Sequence, residues 1–268
     1  MTSAYSEILQ RIEIAISAAR EIFSRFTPGT IDAEFKAGHD PVTEADRAID
    51  AALRKTLLRE GEGWLSEESV DDLTRLDKKR AWVVDPLDGT REFVKGIPEF
   101  CVSIGLVEDG RPVAGGIHNP ATNETFLGAL DSGVLYNGRQ AAPSQRTSLQ
   151  GAITLASRSE MNRGEWKAFE NGPLQIRGMG SVAYKLALVS AGQADITFTL
   201  TPKHEWDVAA GVALILSGGG FVTTLENKPF RANNRNPLLS GLIACGPQLR
   251  EPLLTVLDPH LRPAQARP

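Results

Sequence analysis

Along the first part of the chain the apolar positions recur every three or four residues. Ile8, Ile12, Ala15, Ile16, Ala19, Ile22 and Phe23 form one stripe, so the spacing predicts a helix over 4–26, stopped by Pro28-Gly29. A second helix is expected from Thr43, a residue suited to cap its start, toward Leu58. The period then shortens. Trp64-Leu65-Ser66-Glu67-Glu68 reads as a short strand ending in acids, and 71–79 as a charged connection with a helical turn. Trp82-Val83-Val84 reads as a buried strand that empties into Asp85-Pro86-Leu87-Asp88-Gly89-Thr90. Strand-like runs at 100–107, 112–118, 124–129 and 134–136 are separated by Asp109-Gly110, Asn119-Pro120 and Asn137-Gly138. These turn signals predict a largely antiparallel sheet in the middle of the chain. After Pro143, strands at 153–157, 174–177, 196–200, 221–224 and 242–245 alternate with helices at 163–171, 181–191, 208–216 and 248–257, the texture of an α/β half. The boundary is expected near 143–151. It divides the chain into an α+β subdomain, 1–147, and an α/β subdomain, 148–268.

Composition narrows the function classes. With 268 residues and a formal charge of −4, the chain has no excess of basic residues to favour a nucleic-acid polymer or a membrane surface. An anionic substrate would have to be attracted locally, by metals or placed basic groups. Residues 1–20 lack a basic stretch followed by an apolar core, so a cytoplasmic location is expected. Cys101 and Cys245 sit in apolar runs without a Cys-x-x-Cys or Cys/His neighbour, and read as small buried hydrophobes rather than zinc ligands, a disulfide or a nucleophile.

Four acids stand out: Glu67, Asp85, Asp88 and Asp207. Three of them have a plainer role open to them. Asp207 suits the first turn of a helix, Glu67 a solvated loop, and Asp85 the capping of its own turn. Asp-Pro-Leu-Asp-Gly-Thr as a unit favours more, because Pro and Gly fix the backbone while two carboxylates leave one turn. Hard oxygen ligands of this kind suit Mg²⁺, and the backbone amides beside them suit a phosphate.

Asp85-Pro86-Leu87-Asp88-Gly89-Thr90, with Ser66-Glu67-Glu68 upstream and Glu205-Trp206-Asp207-Val208-Ala209-Ala210-Gly211 downstream, resembles the inositol monophosphatase superfamily of metal-dependent, lithium-sensitive phosphatases. The resemblance implies a layered αβαβα fold and two or three Mg²⁺ ions. It puts Glu67, Asp85 and the Leu87 carbonyl on the first ion, and Asp85, Asp88 and Asp207 on the second. Thr90, backed by Asp46 and with Glu67 nearby, would orient and deprotonate the attacking water, while the Gly89 and Thr90 amides would hold phosphate oxygens. Lys36 is a weaker candidate, for a loop closing over the metals. A homodimer is also compatible with the resemblance.

For the substrate, a small phosphorylated metabolite, Arg91-Glu92-Phe93 followed by Glu99-Phe100 resembles the CysQ-type 3′(2′),5′-bisphosphate nucleotidases. Leu200 stands where inositol phosphatases carry an acid for ring hydroxyls. Gly133-Val134-Leu135-Tyr136-Asn137-Gly138, by contrast, reads like the inositol enzymes. Gly180-Ser181-Val182-Ala183-Tyr184-Lys185 is similar to the stretch that faces the nucleotide in CysQ-type enzymes. This makes Ser181 and Lys185 expected substrate contacts, with Glu205 and His204 near sugar hydroxyls and Arg158, Arg163 and Arg177 as further anion candidates. The reading is a 3′-phosphatase converting adenosine 3′,5′-bisphosphate to AMP. The alternatives are an inositol-1-phosphate or broad sugar-phosphate phosphatase, and a metal-binding homologue without turnover.

Overall fold

The structure, a computed structural model, describes residues 4–30, 34–35 and 41–261; Lys36 lies outside the described residues. The first half runs α1 (Ser6–Phe23), β1 (Glu34–Phe35), β2 (Pro41–Val42), α2 (Glu44–Leu57), β3 (Gly63–Ser66), β4 (Arg80–Asp88), α3 (Thr90–Val94), β5 (Cys101–Glu108), β6 (Arg111–Asn119), β7 (Glu124–Ala129), β8 (Gly133–Tyr136) and β9 (Arg139–Ala141). The second half adds β10 (Ala152–Ser157), α4 (Arg158–Asn162), β11 (Leu174–Met179), α5 (Val182–Ser190), β12 (Ile196–Phe198), β13 (Lys203–His204), α6 (Glu205–Ser217), β14 (Phe221–Thr224), β15 (Leu238–Leu239), β16 (Leu242–Cys245) and α7 (Arg250–Leu261).

Strands β3 to β9 form a seven-stranded sheet in sequence order. Only β3 and β4 run parallel, and the remaining pairs are antiparallel, as the turn signals require. A second, mixed sheet has the order β11-β10-β12-β16-β14. Alternation along β4 sets the layers, because successive side chains point to opposite faces. Trp82 and Val84 pack with Ile12 and Ile16 of α1 and Ile49 and Leu53 of α2. Val83 packs the other way, with Val208, Ala209 and Val212 of α6. Helices α5 and α6 are sandwiched between the two sheets, and Leu253 and Leu257 of α7 cover the far face of the second. The result is an αβαβα stack.

Helix α6 sits unusually close to the first sheet. A Cβ at Gly105 would come within 2.9 Å of the Ala210 nitrogen, and one at Gly115 within 2.5 Å of the Ala210 oxygen. Gly105 and Gly115 on the sheet, facing Ala209 and Ala210, therefore allow the contact that carries the start of α6, and Asp207 with it, up to the end of β4.

Helix boundaries differ from the sequence pattern in places; α6, for one, begins at Glu205 rather than 208. The stretch 163–171 is not one helix. Helix α4 occupies Arg158–Asn162, Gly164 breaks it at φ +80°, and only a 3₁₀ turn follows at Lys167–Phe169. Trp166 and Phe169 leave the helical period because they insert under the second sheet, where Trp166 stacks on Phe198 at 4.1 Å. The last helix begins at Arg250, after a 3₁₀ turn at Pro247–Leu249. No helix among the described residues is long and apolar enough to cross a membrane.

Candidate metal centre and cleft

In a regular strand, Asp85 and Asp88 would face opposite sides of the sheet, being three residues apart. The pairing of β4 with β5 slips between them: Asp85 lies opposite Ser103, but Asp88 lies opposite Cys101. This bulge, at Pro86-Leu87, turns both carboxylates into one cleft of about 410 Å³. Glu67 reaches the same cleft from just beyond β3, and Asp207 from the first turn of α6. Oxygens of Glu67, Asp85 and Asp207 lie within 4.8 Å of one another.

Each aspartate is held by one oxygen. Asp85 Oδ1 accepts the Leu87 N–H at 3.0 Å. Asp207 Oδ2 accepts the His204 N–H at 2.9 Å, one half of a capping box. Asp88 Oδ2 accepts the Ser181 hydroxyl at 2.7 Å and the Ala183 N–H at 2.6 Å. The plainer roles open to these acids are thus real, but they occupy only half of each carboxylate.

Burial, followed by the charges of Glu67, Asp88 and Asp207, pushes Asp85 well above the usual carboxylate range. Asp207 is likewise driven far upward by burial and by Asp88 and Glu67. Asp88 is raised by burial, with the Ser181 and Ala183 bonds pulling back. Carboxylates this close, with Asp85 buried and the others half-buried, demand protons or cations between them. An all-oxygen set of this charge fits a hard divalent ion.

Beside them, Gly89 adopts φ +95°, where a Cβ would strike the Glu99 carbonyl oxygen at 2.7 Å. Only glycine allows the tight exit that starts α3 at Thr90. The Thr90 hydroxyl lies 2.9 Å from the Leu87 oxygen and 3.2 Å from Asp46 Oδ1. With one proton to give, it can donate to only one of them at a time. Asp46 is not a surface acid. It is 2% exposed, its other oxygen accepts both the N–H and the hydroxyl of Thr43, and burial raises its pKa.

The opposite wall comes from the second half, and it revises several expectations. Ser181 has a partner within the protein. At φ +49°, it caps α5 and donates its hydroxyl to Asp88, and it also lines the cleft. Lys185 lines the cleft but is 1% exposed, with Nζ bonded to the carbonyls of Met179, Gly180 and Ser181. Burial lowers its pKa to about 8. Glu205 is a correction: it is fully buried and turned away from the cleft, accepting the N–H groups of Asn233 and Asn234 and the Asn234 amide. Preceding the metal acid in sequence does not bring it to the site, because on a helix residues two apart face different directions.

Arg158 and Arg163 line the cleft, whereas Arg177 is exposed on β11 and does not. The Arg-Glu-Phe stretch is divided among roles. Arg91 lines the cleft, Glu92 pairs with Arg158 at 3.0 Å, and Phe93 packs edge-on against Phe100. Leu200 packs in the core under the second sheet and is not part of the cleft lining. Two features escaped the sequence reading. Lys203 lines the cleft and meets a fully buried Glu160, and the His204 ring stacks on Trp206 at 4.3 Å, 8° from parallel. A Lys-His pair directly before Glu-Trp-Asp was a visible signal for the first. Glu160, 43 residues upstream, gave none.

A cluster of carboxylates around the buried Asp85 at a strand bulge, facing a basic wall across a cleft, is the equipment of a metal-dependent phosphatase. The comparisons agree. The inositol monophosphatase family model matches residues 4–260. The chain is 33% identical over 225 residues to the inositol-1-monophosphatase of Rhizobium meliloti, covering 81% of this chain and 82% of that one. It is 31% identical over 245 residues to the fructose-1,6-bisphosphatase/inositol-1-monophosphatase of Thermotoga maritima, covering 88% and 93%. The solved inositol monophosphatase of Anabaena superposes with a TM-score of 0.82 at 28% identity, over 99% of this chain and all of that one. The chain belongs to the inositol monophosphatase family and is a phosphatase of that family.

Proposed function

We propose that the protein is a Mg²⁺-dependent phosphomonoesterase that removes the 3′-phosphate of adenosine 3′,5′-bisphosphate, giving AMP and phosphate. The observation that carries this reading is the charge layout of the cleft. Five acids (Glu67, Asp85, Asp88, Glu92 and Asp207) are matched by five bases (Arg91, Arg158, Arg163, Lys185 and Lys203) in the lining. Divalent ions on the acidic floor leave the basic wall in excess, which suits a substrate with a second anionic group. The stacked His204–Trp206 pair offers a flat surface to a base.

Glu67, Asp85 and the Leu87 carbonyl would hold one Mg²⁺, and Asp85, Asp88 and Asp207 a second. Bound there, the ions supply Lewis acidity toward the phosphate and a water that ionises near neutral pH. Thr90 and Asp46 act on that water's proton: the hydroxyl orients the water, and Asp46 Oδ1 takes a proton passed through Thr90 Oγ1. The Gly89 and Thr90 amides bind the phosphate oxygens. Phosphate release should be compared for adenosine 3′,5′-bisphosphate, inositol 1-phosphate, fructose 1,6-bisphosphate and histidinol phosphate. The highest kcat/KM is expected for the nucleotide, and a preference for any other removes it as the substrate. Inositol 1-phosphate is the second reading, favoured by the names of relatives that match most of the chain.

A further inference from the structure

The cations of the wall are not equivalent. Arg158 is committed to Glu92 and, at 2.6 Å, to Glu99. Arg163 is paired with Glu165 at 2.6 Å. Lys185 is sealed behind the Met179–Ser181 turn, on carbonyls. Lys203 keeps 14% of its side chain exposed, and its Nζ lies 2.8 Å from the Thr201 hydroxyl and 3.3 Å from both Glu160 Oε1 and the Pro202 carbonyl oxygen. Glu160 has further partners besides it. That carboxylate also accepts the Trp166 indole N–H at 2.9 Å, the Thr201 hydroxyl at 2.7 Å, and the N–H groups of Leu200 and Thr201 at 3.3 Å. Four neutral donors share the buried acid with Lys203, and Lys203 also lines the cleft.

The segment that carries Lys203 is pinned at both ends. Glu160 holds Leu200 and Thr201, the capping box fixes His204 to Asp207, and β13 pairs Lys203 with Leu239 of β15. The cation therefore stands at a fixed offset from Asp207, and hence from any phosphate on the acidic floor. Such a segment acts as a ruler between two anions.

We propose that Lys203, positioned by Glu160, is the residue that selects substrates carrying a second phosphate on the leaving group. The proposal deepens the reading of the same cleft given above and rests on it. The test measures kcat/KM for two matched pairs, adenosine 3′,5′-bisphosphate against adenosine 3′-monophosphate, and fructose 1,6-bisphosphate against fructose 1-phosphate. Wild type, Lys203→Met and Lys203→Arg are compared, and a melting curve for each confirms that it is folded. The bisphosphate preference is expected to fall about tenfold or more in Lys203→Met, mainly through KM, as for loss of a charge-assisted hydrogen bond. Lys203→Arg should recover most of it. If wild type prefers the bisphosphates but Lys203→Met lowers both members of a pair equally, the role of Lys203 is overturned while the proposed function stands. If only the sugar pair shows the preference and its dependence on Lys203, the role holds and the nucleotide reading falls. No preference in either pair overturns both.

Discussion

The floor and the wall of the cleft are built by different means. On the floor, Asp85, Asp88 and Asp207 are each steadied by a backbone N–H that is near in sequence or at a helix start: Leu87, Ala183 and His204. On the wall, position depends on side chains from remote segments, such as Arg158 with Glu92 and Glu99, or Lys203 with Glu160. The floor concentrates like charges that repel until cations arrive, whereas the wall pairs opposite charges that hold without a ligand. A backbone-built site resists substitution of its neighbours but not of its own acids. A wall built from side-chain pairs can change partner by single substitutions, while the chemistry on the floor is kept.

The sharpest break in this contrast is Asp85→Asn, which keeps the shape and removes the charge shared by both proposed metal positions. It should lower kcat by on the order of 10³-fold or more, the upper range for one electrostatic catalytic group, with little loss of folded protein. Near-normal turnover in a phosphate-release assay would take Asp85 out of the site.

Ser181→Ala tests whether the wall helps to build the floor. Losing the hydroxyl leaves Asp88 with the Ala183 N–H alone. The Mg²⁺ needed for half-maximal activity should rise about 10- to 100-fold, as for other residues that orient a metal ligand. Activity at saturating Mg²⁺ should largely return. A raised substrate KM with unchanged Mg²⁺ dependence would instead make Ser181 a substrate contact.

Stability should separate the two regions by pH. Burial raises Asp85, Asp88 and Asp207 in the folded protein, and repulsion between neighbouring acids adds to it at Asp85 and Asp207. Their protonated forms favour the fold below the ordinary carboxylate range, and that contribution disappears as pH climbs through the raised values. Glu160 runs the opposite way. Burial opposes its charge, but Thr201, Trp166 and Lys203 outweigh it and hold it low, so its contribution is lost only on acidification. The difference between melting temperatures with Mg²⁺ and with a chelator should therefore widen as pH rises above the carboxylate range. Parallel curves would show that the acids do not bind the ion.

The same division explains what was legible in the sequence. Strands and hairpins of the first sheet follow from alternation and turn residues, and the acids of the floor follow from Asp-Pro-Leu-Asp-Gly-Thr because the backbone that aims them is local. The helix expected at 163–171 failed because Trp166 and Phe169 serve tertiary packing, not a helical face. Glu160 and Lys203 were unreadable as a pair because nothing in a pattern of spacing links α4 to β13.

Glu205 provides the finest test of the contrast, since it stands two residues before a floor acid and belongs to neither region. Its Oε2 accepts the Asn233 N–H at 2.6 Å, and its Oε1 accepts the Asn234 N–H at 2.9 Å and the Asn234 amide at 2.6 Å. Glu205→Gln puts an NH₂ where an acceptor stood, so at least one N–H of the Asn233–Asn234 stretch, half-buried at Asn233, loses its partner, at a cost of about 1 kcal/mol. Asp207 is held independently by His204, so the floor should stay in place. The melting temperature should fall while KM for every phosphate ester is unchanged. A selective rise in KM with unaltered stability would move Glu205 from the frame of the 231–236 loop to the substrate, and the wall would then extend further along α6 than its geometry indicates.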